Sequence, residues 1–440
     1  MTQAEAARCF RMKSFLFATW EGGGSVAPAL TVVRKLVKRG HRVRVMSDAC
    51  NRSECEATGA TFVPWSRAPS RPDRTPASEM LRDWAHEGPA GFQHVIDTLW
   101  AGPALSYAQD VIAELEREPA ELVVTSEMLF GVAIGCEAVG QPFCYLAANI
   151  SLFPMPGVPP LGPGLPPPRT EAEAALHAEM RDGVVALFDH GLPAINTARA
   201  HLGLPPLTHA VDQAEAAQAV LLATARAFDF APETLPANVR YVGPQLDEPA
   251  WAQTWISPWP PGDERPLVLV GFSTTFQNHA AVLQRVIDAA SDLPIRLLVT
   301  LGGSIEATAL RPAPNCRLAA SAAHDAVMRS AAAVVTHGGH GTVTRALAHR
   351  RPMLVIPHGR DQNDNAVRVA ERGAGLRLPP TASVAEIHVA LHRLLDDPAF
   401  ARAARKLGDA VAVETEASPV VEVLEGLVLA NDRADLCLTG

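Results

Sequence analysis

The residues best placed to do chemistry lie in two loops. In the first, His337 stands directly before Gly338-Gly339-His340-Gly341-Thr342, between an apolar run at 332–335 and a helical pattern that resumes at Thr342. The first N–H groups of a helix have no partner inside it, so this arrangement opens backbone donors beside an imidazole and makes an anion site. In the second, a short apolar run flanked by Pro352 and Pro357 leads into a polar loop carrying Asp361 and Gln362. A carboxylate next to an amide engages several hydroxyls at once, which suits a sugar better than a phosphate. Together the loops describe one site, with phosphate at one end and a polyol at the other.

These loops need strands to hold them. Ser14 to Ala18 reads as a buried strand, followed by Glu21-Gly22-Gly23-Gly24 and a helix with Leu30, Val33, Leu36 and Val37 on one face. Gly40 ends that helix and residues 41–46 alternate as a second strand, completing a βαβ unit. Such units impose a parallel sheet whose ligands gather at the carboxyl ends of the strands. Further strands are expected at 60–63, 121–125 and 143–146. A second α/β unit starts at Pro266 and continues through 295–300, after a turn-rich stretch over 241–265. Residues 152–169 hold eight prolines and three glycines and form neither regular helix nor central strand. Their apolar side chains, Leu152, Phe153, Met155, Val158, Leu161 and Leu165, point to an ordered wall of a cleft.

The chain has 440 residues, too many for one ordinary core. Its formal net charge of −9 gives no support to a nucleic-acid or anionic-membrane partner. The seven cysteines are scattered and lack a C-x-x-C pair, so they read as free thiols in a reducing compartment rather than as disulfides or zinc ligands. Residues 1–11 contain charges and no long apolar core, and read as a leader rather than a secretory signal. The most apolar later window, 122–139, is broken by Ser126, Glu127 and Glu137 and fits a strand and helix, not a membrane span. The expectation is a cytoplasmic protein with no stable membrane insertion.

The pattern H-G-G-x-G-T, then Ala346-Leu347, a proline-flanked strand and D-Q-x-x-N-A closely resembles the donor signature of the UDP-sugar glycosyltransferase superfamily, including its bacterial natural-product and macrolide-type members. The resemblance implies an α/β fold of the GT-B type, with two Rossmann-like α/β/α domains facing each other across a cleft. It divides the chain into an acceptor domain over 12–240, a linker over 241–265, a nucleotide-sugar domain over 266–417 and a terminal helix over 418–440 that returns to the first domain. It implies inverting, metal-independent sugar transfer from a UDP- or TDP-sugar to a small, largely apolar acceptor, with the nucleotide sugar as co-substrate and no cofactor. On the donor side it nominates His337, Gly339, His340, Gly341 and Thr342 for the diphosphate, with Ser273 and Thr274 in a second phosphate-side loop that also reads as an ordinary helix cap. Ala322 falls in the nucleobase segment, and Asp361 and Gln362 in the sugar site. His340 reads equally as a surface imidazole.

Three positions depart from the family pattern. Ser321 stands where an aromatic platform is usual, so stacking from that segment is lost. Arg345 stands where plant members carry a ribose-binding glutamate, and otherwise reads as an exposed helix residue. Most consequential is Ser25, three residues before Pro28, where the family places its histidine or aspartate base. A serine hydroxyl needs a neighbour to take its own proton near neutral pH. Ser126 and Glu127 follow the 122–125 strand, where plant members keep a partner carboxylate. Glu21 and Glu127 are the nearest ionisable substitutes, each reading either as a base or as a structural carboxylate, and His94 is a further candidate. Two alternatives therefore stay open, a catalytically dead donor-binding homologue and a nucleotide-sugar epimerase of the same fold.

Overall fold

The computed structural model describes residues 11–82, 85–86, 89–248, 252–273, 277–302 and 305–438. Apolar runs that a parallel sheet buries on both faces become strands. In the first half these are β1 (Ser14–Ala18), β2 (Arg42–Ser47), β3 (Thr61–Pro64), β4 (Leu122–Thr125), β5 (Phe143–Ala147), β6 (Ala219–Leu222) and β7 (Val239–Tyr241). They form one parallel sheet in the order β3-β2-β1-β4-β5-β6-β7. The second half contributes β8 (Leu267–Gly271), β9 (Arg296–Thr300), β10 (Cys316–Ala319), β11 (Ala331–Thr336), β12 (Met353–Val355) and β13 (Gly375–Arg377), ordered β10-β9-β8-β11-β12-β13. The strand order reverses between β1 and β4 in one sheet and between β8 and β11 in the other. Ligands of open parallel sheets bind at such switch points, outside the carboxyl ends of the strands.

Period-two alternation divides each core. Leu16 and Ala18 face one apolar layer while Phe15 and Phe17 face the other, and Val268 and Val270 oppose Leu267 and Leu269 in the same way. The helix Val26–Lys38 buries Val26, Leu30, Val33 and Leu36 on one stripe. It stops where Gly40 takes φ +95, with the Gly40 N–H donating to Val37 O at 2.9 Å.

The two halves are stitched together at several places. The last helix, Val420–Leu438, packs Val420, Val421, Leu424, Leu427 and Val428 into the core beneath β1 and β2. Each fully buried aliphatic side chain contributes roughly 1.5–3 kcal/mol, so this helix is a firm clamp. Ala225 and Phe228, just after β6, belong instead to the core of the second domain. Beside them Asp229 takes Arg368 at 2.8 Å and the Tyr241 hydroxyl at 2.7 Å. The proline-rich stretch is ordered: Leu152, Phe153 and Met155 are buried in the first domain. Its glycines reach the second domain, Gly162 and Gly164 donating backbone N–H groups to the Asp364 carboxylate at 2.7 and 3.1 Å. Among the described residues no helix is long and apolar enough to cross a membrane.

Candidate active site

The loops after β8, β11 and β12 meet at the second domain's switch point. The helix His340–Ala348 starts at Gly339, and the Thr342 N–H closes back on Gly339 O at 3.0 Å. The N–H groups of His340 and Gly341 have no backbone partner among the described residues, and Gly341 is exposed. The predicted open helix start is therefore present at these two positions, whereas the Thr342 N–H is occupied. Gly338 adopts φ +98, and a Cβ there would lie 2.9 Å from Val355 Cγ1 and 3.0 Å from Gln362 O. Only glycine lets the β11 loop pass this close to the β12 loop.

Side chains fasten these loops to one another. Asn365 donates from Nδ2 to Gly338 O at 2.9 Å and to Asp361 Oδ2 at 2.8 Å, while its Oδ1 meets His340 Nδ1 at 3.2 Å. His340 is buried rather than a surface imidazole, and burial holds its pKa below the ordinary value, so it is neutral. Burial pushes the Asp361 carboxyl upward. Gln362 is also buried, and both ends of its amide are used: Oε1 accepts from the His358 N–H at 2.7 Å, and Nε2 donates to Gln277 Oε1 at 3.0 Å. Gln277 in turn donates to Ser273 Oγ at 2.8 Å. In this conformation Gln362 joins the β8 and β12 loops instead of presenting its amide to a sugar. Thr274 lies outside the described residues. The His337 ring lies over Gly339, where a Cβ would meet its Nε2 at 2.7 Å. Burial and nearby cations lower its pKa to about 3.

The nucleobase segment departs further from expectation. Ala322 is buried, the Ala320 carbonyl accepts from the Gly302 N–H, and Ala323 donates its N–H to Gln253 O at 2.8 Å. The linker thus binds the residue just after Ala322, and the loop after β9 takes the Ala320 carbonyl. Arg345 is buried rather than exposed. It pairs with Asp325 at 2.7 Å and Glu248 at 3.3 Å, and donates to Asp247 O at 3.0 Å, locking the helix to the linker.

At the first domain's switch point Ser25 and Ser126 share a small hollow with Phe17, Thr19, Ala29 and Ala148. Ser25 makes no side-chain cap bond to the helix it precedes. Glu21 is a structural carboxylate: its oxygens take the Gly23 N–H and Arg74 Nε, each at 2.9 Å, and its own N–H donates to Asp48 at 2.8 Å. Glu127 differs. It is 2% exposed, and its Oε2 has no hydrogen-bond partner among the described residues. Burial, with a smaller contribution from Asp361 of the other domain, pushes its pKa to about 8. His94 has a buried Nε2 without a partner among the described residues and packs its ring 4.6 Å from that of His86. Among the described residues no three His, Cys, Asp or Glu side chains are grouped to hold a metal ion.

Known proteins share both the sequence and this architecture. The family described as Erythromycin biosynthesis protein CIII-like, C-terminal domain, matches residues 284–427. The chain is 30% identical over 436 residues to 4'-demethylrebeccamycin synthase of Lentzea aerocolonigenes, covering 94% of this chain and 99% of that one. It is 26% identical over 431 residues to demethyllactenocin mycarosyltransferase of Streptomyces fradiae, covering 95% and 87%. The chain belongs to the family 1 natural-product glycosyltransferases. The solved structure of the glycosyltransferase of kitacinnamycin superposes with a TM-score of 0.74 at 20% identity, covering 95% of this chain and 99% of that one, and has the same GT-B fold.

Membership sets aside the epimerase and dead-homologue readings: the protein is a glycosyltransferase. Within this glycosyltransferase, Asn365, His279 and His358 belong to the site region but were not nominated from the sequence. Asn365 was legible as the asparagine of D-Q-x-x-N-A. The two histidines lie outside any motif, and only the folding of the β8 and β12 loops brings them to His337.

Proposed function

We propose that this glycosyltransferase moves a sugar from a UDP- or TDP-sugar to a small, largely apolar acceptor, with inversion and without a metal. The observation that carries the reading is the Asn365 bridge, which fixes the Asp361 carboxylate beside the helix start at Gly339. A sugar held by Asp361 then has its diphosphate directed at the His340 and Gly341 N–H groups and His337. Negative charge grows on that diphosphate as the glycosidic bond breaks, and a helix N-terminus carries roughly half a positive charge to meet it. Solved relatives titled as complexes with dTDP and thymidine diphosphate support a thymidine donor, and a relative named UDP-glucosyltransferase supports a uridine one.

Acceptor activation follows from the other switch point. Ser25 and Ser126 offer only hydroxyls, Glu21 is held by Arg74, and Glu127 is mostly protonated at neutral pH. None of these four supplies a strong base at pH 7. Transfer therefore goes to acceptors that bring their own acidity or nucleophilicity: phenols, thiols, amines or electron-rich ring carbons. Turnover of UDP- and TDP-sugars with a panel of such acceptors and simple alcohols, read by mass spectrometry, tests this. Absence of transfer from every UDP- and TDP-sugar, with the folded protein binding neither nucleotide, would refute it.

A further inference from the structure

Three histidines from three different loops meet at the diphosphate end of the site. His279 comes from the start of the helix Ala280–Ala290, His337 from the end of β11, and His358 from the loop after β12. Ring centroids of His279 and His358 lie 4.3 Å apart and those of His279 and His337 5.7 Å apart. Phe272 closes the group, its ring 5.2 to 5.9 Å from all three. His279 Nε2 and both ring nitrogens of His358 are buried without a hydrogen-bond partner among the described residues. A buried polar atom without a partner is costly, and three of them on two rings 4.3 Å apart are unusual in a settled core. The permanent charges acting on the group are cationic, Arg360 on His279 and His337 and Arg285 on His358, while the Ile356 backbone pulls the His358 pKa the other way.

We propose that His279 and His358 join His337 as a proton-accepting wall for the diphosphate, so that the donor and the departing nucleoside diphosphate bind together with a proton. The inference rests on the donor reading above. In the free protein burial and cationic neighbours hold the three rings neutral, with pKa values lowered to about 2, 3 and 4 for His279, His337 and His358. A diphosphate brings the opposite charge to the same place. It stabilises an imidazolium and raises the pKa of whichever ring it contacts. Between the free and the bound pKa the complex holds more protons than the separate partners, so affinity falls as pH rises, by up to tenfold per pH unit for each proton taken up. Below about pH 4 His358 is already charged and contributes no uptake. An imidazolium beside the leaving group is more valuable in the transition state, when charge on the diphosphate is larger.

The test is calorimetry of the full chain with UDP-glucose and TDP-glucose, whose diphosphates carry no group titrating near neutral pH. It is run at pH 7 in two phosphate-free buffers of low and high protonation enthalpy. The expected result is a buffer-dependent enthalpy reporting net proton uptake, with the dissociation constant rising as pH increases from 6 to 8. His358→Gln and His279→Asn, which keep a polar group but cannot become charged in this range, each lower the uptake and flatten the pH dependence of the dissociation constant. Binding with a buffer-independent enthalpy and a flat pH profile overturns the proposal and leaves the donor reading intact. So does undiminished uptake in the double variant. Failure of the wild-type chain to bind either nucleotide sugar overturns both. The wild-type pH profile needs no substitution, so the proposal stays testable if a variant misfolds.

Discussion

Glu127, two residues past β4, and Asp361, in the loop after β12, lie within electrostatic reach of each other, and Asp361 adds to burial in raising the Glu127 pKa to about 8. One carboxyl comes from each domain, so this pair couples the two domains electrostatically. With the folded pKa above the ordinary 4.5, the folded protein holds a proton that the unfolded chain releases between these two values. Stability therefore falls as pH rises from about 4.5 to about 8, by about 1.4 kcal/mol per pH unit from this group. Glu127→Gln should remove that slope. The variant is expected to melt higher than wild type at pH 8 and to match it near pH 4.5, as measured by thermal unfolding across the range.

The Asp364 carboxylate should act as a latch between the proline-rich wall and the donor helix Gln362–Glu371. It accepts from Gly162 and Gly164, and Arg377 adds a hydrogen bond to Gly164 O at 3.2 Å. Bonds to a charged group contribute about 1.5–3 kcal/mol each. Asp364→Ala is expected to free the 152–169 segment, seen as faster proteolysis there. It should raise the acceptor KM several-fold and change the donor KM little. Equal effects on both would place Asp364 in the donor site instead of the latch.

Strands β1 to β5, β8, β9, β11 and β12 and the loops after β11 and β12 were legible because they rest on local rules: period-two apolar runs, a glycine-rich strand-to-helix turn, a proline-flanked strand; β6, β7, β10 and β13 are short and were not read from the sequence. What escaped was set by contacts distant in sequence. Arg345 read as exposed because nothing near it reveals that Glu248 and Asp247 of the linker fold back onto it. The hydrogen bonds of Gln362 were equally hidden, because its partners, Gln277 and the His358 N–H, are in loops whose approach no spacing rule encodes. Glu21 and Glu127 looked alike in sequence and separate only through Arg74, which reaches one of them.

Asp361 and Gln362 should accordingly fail in different ways. Asp361→Ala removes a carboxylate that Asn365 holds beside the helix start, and should cut transfer and donor hydrolysis together at nearly unchanged melting temperature. Gln362→Ala strands the His358 N–H and the Gln277 side chain, and leaving buried partners unpaired costs about 1–3 kcal/mol each. Its expected signature is a lower melting temperature with a smaller catalytic defect at low temperature. A catalytic loss in Gln362→Ala as large as that of Asp361→Ala, with stability intact, would return Gln362 to the sugar site.

The absent base at Ser25 makes the sharpest prediction. General base catalysis typically supplies roughly two to four powers of ten, which an acidic phenol or a nucleophilic nitrogen partly does without. With Ser25 beside Ser126 in a hollow and Glu127 mostly protonated, transfer to phenols, thiols, amines or electron-rich carbons should exceed transfer to matched alcohols by a comparable factor at pH 7. Glu21→Gln should lose stability through Arg74 and leave the acceptor preference alone, and Glu127→Gln should leave phenol transfer nearly intact. Ser25→His places an imidazole where the family keeps its base, at the mouth of the same hollow, and should raise alcohol transfer selectively. Suppose instead that wild type transfers efficiently to an unactivated alcohol, with a rate that climbs through about pH 8 and vanishes in Glu127→Gln while donor binding is normal. The buried carboxyl would then be the base, and acceptor acidity would lose its role in selection.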